Sequence, residues 1–244
     1  MTPVPLPKLR PTPPGQALRR PIRALALACM LGAGASAGAQ DLAAGKAIAT
    51  AGAGAVPACS SCHGAAGEGN AAAGFPRLAG LGAAYLAKQL DEMADGARPS
   101  PAMQATAAGL TPARRRDVAA YFAGLPAPYP ESSLRPPAAD AVSPADRGAW
   151  LAVRGDWPNG LPACNQCHGP GGTGVGEDFP ALAGQPQAYL AAQLHAWREG
   201  RRPPLPLGLM PAVASRLSDA DIQAVADYYA RLPQAAPSAP APSR

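Results

Sequence analysis

What this chain has little of narrows it quickly. Only 5% of its 244 residues are aromatic and 15% charged, and it has three His and five Cys. Four of those cysteines and two of the histidines fall in two short stretches, Cys59-Ser-Ser-Cys62-His63 and Cys164-Asn-Gln-Cys167-His168. Neither stretch has a fourth Cys or His nearby, which argues against tetrahedral zinc. The uncharged apolar run over residues 24–39 is sixteen residues long, short of the roughly twenty that a membrane span needs. Acids are missing before Asp41, so Lys8, Arg10, Arg19, Arg20 and Arg23 alone account for the net charge of +5. Without them sixteen basic residues face sixteen acidic ones, and no excess of positive charge remains for a nucleic acid. No stretch reads convincingly as a strand.

The first 39 residues have the layout of an export signal. A basic, proline-rich segment precedes the apolar run, which closes on the small-x-small triplet Ala37-Gly38-Ala39. That order predicts a cleaved signal peptide over residues 1–39 and a periplasmic mature chain. Cleavage also removes Cys29, where Ala26, three residues back, replaces the aliphatic residue usual before a lipid-anchored Cys.

Cys-x-x-Cys-His is the attachment pattern of haem c. Side chains three apart in the first turn of a helix share a face, so two thiols reach the two vinyl groups of one porphyrin edge while the next imidazole meets the iron. A thioredoxin-like pair needs no following His and sits in a βαβ setting. A short-range disulfide would leave both His residues unexplained. The spacing therefore predicts two haem c groups, attached through Cys59 and Cys62 and through Cys164 and Cys167, with His63 and His168 as axial ligands.

The similarity between the two stretches continues beyond them. Phe75-Pro-Arg-Leu-Ala-Gly80 returns as Phe179-Pro-Ala-Leu-Ala-Gly184, and Ala84-Tyr-Leu-Ala-Lys-Gln-Leu90 as Ala188-Tyr-Leu-Ala-Ala-Gln-Leu194. Such a repeat marks a tandem duplication, with domains over 40–125 and 143–233, a Pro-rich extended linker over 126–142 and a disordered tail over 234–244. Each copy reads as helical. A first helix begins at Asp41 or at Ser143-Pro144, a middle helix covers 82–95 or 186–199, and a last helix begins at Thr111-Pro112 or Ser218. Leu86, Leu90 and Met93, and correspondingly Leu190, Leu194 and Trp197, form one face of the middle helix; Ile222, Val225, Ala226, Tyr229 and Leu232 form the last core stripe. At about ninety residues with few aromatics, each copy is short of apolar core, which a buried haem would supply.

Three Met remain after residue 39: Met93, Met103 and Met210. Met103 and Met210 stand in the same register ahead of Leu110 and Leu217, which marks them rather than Met93 as the second axial ligands. Ligation by His and Met raises the potential and fills both axial positions, which suits electron transfer. His195, the remaining His, falls on the polar side of the middle helix. Pro76 and Pro180 offer carbonyls to the ligand imidazoles. Arg98 and Arg202, or Tyr85 and Tyr189, are candidates to bond the haem propionates, with an exposed helix end as the competing reading of the Arg pair.

Together, Cys-x-x-Cys-His-Gly, Phe-Pro-x-Leu-Ala-Gly, Tyr-Leu, Gln-Leu, Gly-x-Arg, Met and Leu-Ser-Asp-x-Asp-Ile resemble the dihaem cytochromes of the cytochrome c4 type over nearly all of residues 40–234. The resemblance implies an all-α fold of two tandem class I cytochrome c domains. It also implies a periplasmic electron carrier, a monomer that meets redox partners of the quinol–cytochrome c reductase or terminal oxidase class transiently, with peripheral membrane association and no nucleic acid. Leu81 departs from the pattern, since the family and the second copy, at Gln185, have Gln there. The alternatives are a haem c subunit of a dehydrogenase or oxidase complex, and a dihaem peroxidase. A peroxidase needs an open iron position and a catalytic acid or base, and Glu68 and Glu177 lie in Gly-rich loops that read as surface.

Overall fold

Single side chains set where the longer helices begin. Asp41 accepts from the amides of Ala43 and Ala44 and opens α1, Leu42–Ala51. Thr111 accepts from Arg114 N ahead of α5, Pro112–Ala123, with the proline in the first turn. Ser218 and Asp221 bond each other's backbone amides at the start of α10, Asp219–Arg231, which satisfies two donors that the helix itself cannot. The computed structural model describes residues 40–130, 134, 138–203 and 208–232. The expected signal peptide, the tail and part of the linker lie outside the described residues.

The first copy comprises α1, α2 (Ser60–His63), α3 (Ala83–Ala94), α4 (Gln104–Ala108) and α5; the second comprises α6 (Arg147–Val153), α7 (Cys164–His168), α8 (Gln187–Arg198), α9 (Leu209–Ala214) and α10. The fold is all-α. Among the described residues, β pairing is limited to isolated bridges such as Asn70 with Phe75 and Val175 with Phe179. In each copy the first helix packs against the last, α1 on α5 and α6 on α10. Gly45 and Gly148 make those contacts possible, because a Cβ at either would run into the carbonyl of Asp117 or Ala224. The last helices supply the cores: Val118, Ala119 and Phe122 in the first copy, and Ile222, Val225, Ala226, Tyr229 and Leu232 in the second, are all buried.

Three features differ from the sequence reading. Helix α6 starts at Arg147 and is capped by Asp146, which accepts from Ala149 N; Ser143 instead bonds Ala145 N in the preceding turn. A short helix not expected from the sequence precedes each last helix, with Met103 at the N-cap position of α4 and Met210 within α9. The described part of 126–142 is not a free spacer. Leu134 and Val142 are buried in the second core with Tyr129 packed against it, and the Tyr129 hydroxyl donates to Ala183 O at 2.5 Å. Both copies belong to one compact unit.

Candidate haem sites

Each Cys-x-x-Cys-His stretch forms one helical turn or little more, α2 or α7, ended by a glycine at φ 85° or 77°. Only glycine adopts such angles without strain, so Gly64 and Gly169 stop the turn directly after the histidine. Both imidazoles are buried, at 6% exposure for His63 and 8% for His168. His63 Nδ1 lies 2.8 Å from Pro76 O, and His168 Nδ1 lies 2.8 Å from Pro180 O. A proline carbonyl can only accept, so Nδ1 carries the proton and Nε2 keeps its lone pair. Burial holds both groups below the ordinary imidazole value, against the opposing pull of the proline carbonyl. The side chains are thus neutral and oriented at neutral pH, as a ligand to iron must be.

The four cysteines are unpaired. Burial pushes the Cys164 thiol up to about 11 and raises Cys59 as well. Reactive Cys-x-x-Cys pairs have lowered values, so a thiol-exchange site is disfavoured. Among the described residues, no three His, Cys, Asp or Glu side chains are placed to hold a metal ion.

In the second copy Cys164, Cys167, His168 and Met210 open onto one cavity of about 320 Å³. Its remaining wall is mostly apolar, with Leu190, Leu194, Trp197, Val225 and Tyr229 among the lining residues. That explains why Leu194 and Trp197, on the expected core face of α8, are only half-buried: they border this space. The first copy repeats the elements, with His63 buried and Cys59 and Met103 half-buried. Met93 is buried in α3, as a core residue would be. His195 Nδ1 sits 2.9 Å from Arg198 Nη2 and 3.9 Å from Asp219, and it is absent from the cavity wall. Glu68 is exposed, with its carboxylate on Ala66 N, and Glu177 is exposed at the cavity rim.

Arg98 and Arg202 overturn the exposed-end reading, being 5% and 4% exposed. They meet between the copies. Arg98 donates to Gln89 at 2.8 Å, Gln193 at 2.7 Å and Tyr189 at 3.2 Å. Arg202 donates to Gln89 at 2.7 Å and Gln193 at 3.2 Å, and stacks 3.9 Å above the Trp197 ring. Every side chain in that hydrogen-bonded set is neutral apart from the two guanidiniums, and burial pushes the Tyr85 phenol beside them up to about 12. Arg202 Nε, Gln89 Nε2 and Trp197 Nε1 are buried without an acceptor among the described residues. Buried cations are costly unless paired. Two carboxylates carried by a porphyrin would supply the missing acceptors and charge, so the residues present fit the group. Sequence reasoning named the Arg and Tyr pairs but missed Gln89 and Gln193; the repeated Gln-Leu at 89–90 and 193–194 was the available signal.

Helical domains that each present a buried, oriented His beside two unpaired thiols, with a Met lining the same cavity in the second, define a tandem c-type cytochrome. The family model described as "Cytochrome c" matches residues 42–126, and that described as "Cytochrome C oxidase, cbb3-type, subunit III" matches 161–228. A solved structure of cytochrome c4 from Pseudomonas stutzeri superposes with a TM-score of 0.65 at 33% identity, over 79% of this chain and 98% of that one. The chain belongs to the dihaem cytochrome c4 family; it binds two haem c groups and carries electrons. A thiosulfate dehydrogenase electron acceptor of Thiomonas intermedia is 49% identical over 180 residues, 72% of this chain and 78% of the relative. The structure of a thiosulfate dehydrogenase (TsdBA) from Marichromatium purpuratum matches with a TM-score of 0.69 at 44% identity, over 78% of this chain; the chain spans 40% of that longer one.

Proposed function

We propose that this chain receives electrons from a thiosulfate-oxidising dehydrogenase in the periplasm and passes them on singly. Haem iron held between an imidazole and a thioether exchanges one electron without an open position for substrate. On this reading Cys59, Cys62, Cys164 and Cys167 form the thioethers. His63 with Met103 and His168 with Met210 fill the axial positions, while Pro76 and Pro180 hold the imidazoles in orientation. Arg98 and Arg202, with Tyr85 and Tyr189, bind propionates where the copies meet. The export layout of residues 1–39 supports the periplasm, and no helix among the described residues is long and apolar enough to cross a membrane.

The observation that carries the partner is the gap in similarity. A thiosulfate dehydrogenase electron acceptor is 49% identical, whereas the solved cytochrome c4 is 33% identical with nearly complete coverage. The test is anaerobic mixing of the oxidised dihaem protein with a thiosulfate dehydrogenase, with and without thiosulfate, followed by haem absorbance. Reduction of both irons only with thiosulfate and enzyme present is expected. Absence of reduction, in a protein that dithionite reduces fully, would reject this donor and leave the carrier role standing.

A further inference from the structure

The peptide group joining Pro76 to Arg77 is hydrogen-bonded on both sides. Its carbonyl accepts from His63 Nδ1 at 2.8 Å, and its N–H donates to Gln185 Oε1 at 3.0 Å. Gln185 belongs to the other copy and is 2% exposed; its Nε2 donates in turn to Arg77 O at 3.0 Å. A backbone N–H only donates and a carbonyl only accepts, so these partners fix which end of the amide is oxygen. A row of hydrogen bonds therefore starts in the second copy, crosses one peptide unit and ends on the imidazole of the first. Arg77 holds the segment in place: its guanidinium donates to the carbonyls of Ala79 and Ala183 and lies 5.3 Å from the Tyr129 ring centroid.

The second copy has only half of this arrangement. His168 Nδ1 meets Pro180 O at 2.8 Å, yet the N–H on the other side of that peptide, on Ala181, has no hydrogen-bond acceptor among the described residues. Leu81 stands where Gln185 would have its counterpart. Both Leu81 and Ala181 are buried in the same apolar cluster.

We propose that Gln185 is a positioning residue for the first iron, acting through the Pro76–Arg77 peptide on His63. Hydrogen bonds in series polarise one another. An acceptor on the peptide N–H makes its carbonyl a stronger acceptor, draws the Nδ1 proton of His63 outward and leaves more electron density on Nε2. A more electron-rich imidazole favours the oxidised iron. The His168 iron lacks this influence, so docking of the copies sets the two potentials apart. The inference rests on His63 being an axial ligand.

The test is a spectroelectrochemical titration of the intact dihaem protein with Gln185→Leu, Gln185→Met and Leu81→Gln, read alongside the proton NMR signals of the two Nδ1–H groups in the reduced state. In the Gln185 variants the reduced-to-oxidised ratio at the His63 iron rises about threefold at fixed applied potential, and the His63 Nδ1–H signal moves, while the His168 site keeps both. Leu81→Gln lowers the ratio at the His168 iron. Potentials that move together, stay fixed or shift the His63 iron the other way would overturn the proposal. A looser contact between copies with no relay gives that joint shift. Wild-type protein with fewer than two haems, or without a His63 signal, would instead fault the ligand assignment.

Discussion

Phe122 in the first copy and Tyr229 in the second stand at equivalent places in the last helix, and both are buried. The Tyr229 hydroxyl reaches Asn165 Oδ1, inside the haem-binding turn, at 2.7 Å. Phe122 has no hydroxyl, and Ser60 replaces Asn165. Arg147 adds a second tie, 2.7 Å from Asp221 and 2.9 Å from Asp156, where the first copy has Ala44 and Arg114 at the positions of Arg147 and Asp221. Duplicated halves with the same helices have thus diverged in what braces them. The second copy uses polar ties around its haem-binding turn, and the first relies on apolar packing there. The first uses its extra charge elsewhere: Arg115, where Ile222 stands in the second copy, pairs with Asp91 at 2.6 Å and donates to the carbonyls of Ala107 and Leu110.

The strongest way to break this comparison is to remove one attachment pair. Cys59→Ser with Cys62→Ser should leave one haem per chain and lower helical content in the first half, because a copy of this size depends on the porphyrin for core. Haem-to-protein absorbance and circular dichroism measure both, and retention of two covalent haems would contradict the assignment. Next in size are Arg98→Met and Arg202→Met. Each should cost about 3 kcal/mol in urea unfolding of the dihaem protein, by stranding polar partners between the copies. Similar losses would show that the two copies contribute equally to the contact between them.

A smaller effect sharpens the contrast within the haem-binding turns. Tyr229→Phe should cost about 1 kcal/mol by leaving Asn165 without its partner, whereas Phe122→Tyr should bring no gain, since Ser60 is shorter than Asn165. The smallest effect is one of pH. The Arg147 bond to Asp156 holds that half-buried carboxyl below its usual 3.8. Burial pushes Asp221 up, but its bonds to Arg147 and Ser218 outweigh that and leave it lowered too. A carboxyl depressed in the folded state stabilises the fold fully above its unfolded value, and that contribution fades as the pH falls through the folded value. Arg147→Met should therefore lower second-copy stability most at pH 7, with the difference from wild type shrinking as the pH falls below about 4, so that the acid limb of unfolding is flatter.

Much of this was legible in the sequence because it was local. Thr111-Pro112 and the Ser218–Asp221 box marked helix starts through bonds between near neighbours, and the stripe from Ile222 to Leu232 announced its own burial. Met210 stood out by register and lines the second cavity. Less legible was whatever depended on the other copy. Arg98 and Arg202 read equally as propionate partners and as an exposed helix end, because their partners from the other copy lie 91 to 113 residues away in the chain. Helices α4 and α9, at five and six residues, are too short to show a period. At the start of α6, Ser143-Pro144 imitated a cap that Asp146 makes. Leu81 was visible as a departure from the repeat, but its consequence at Ala181 required three dimensions.

The segment joining the copies is unequally owned. Leu134 caps a bend of the second copy so closely that Gly171 has no room for a methyl group, and Tyr129 is anchored to Ala183. A stand-alone C-terminal half cut at Ser143 would lose both, while an N-terminal half ending at Leu125 would lose from its buried cluster only Ala181, which the other copy supplies. Separate production of the halves should accordingly give the connector to the C-terminal one, and that choice determines whether a single-haem fragment reports on a native site or on a wounded one.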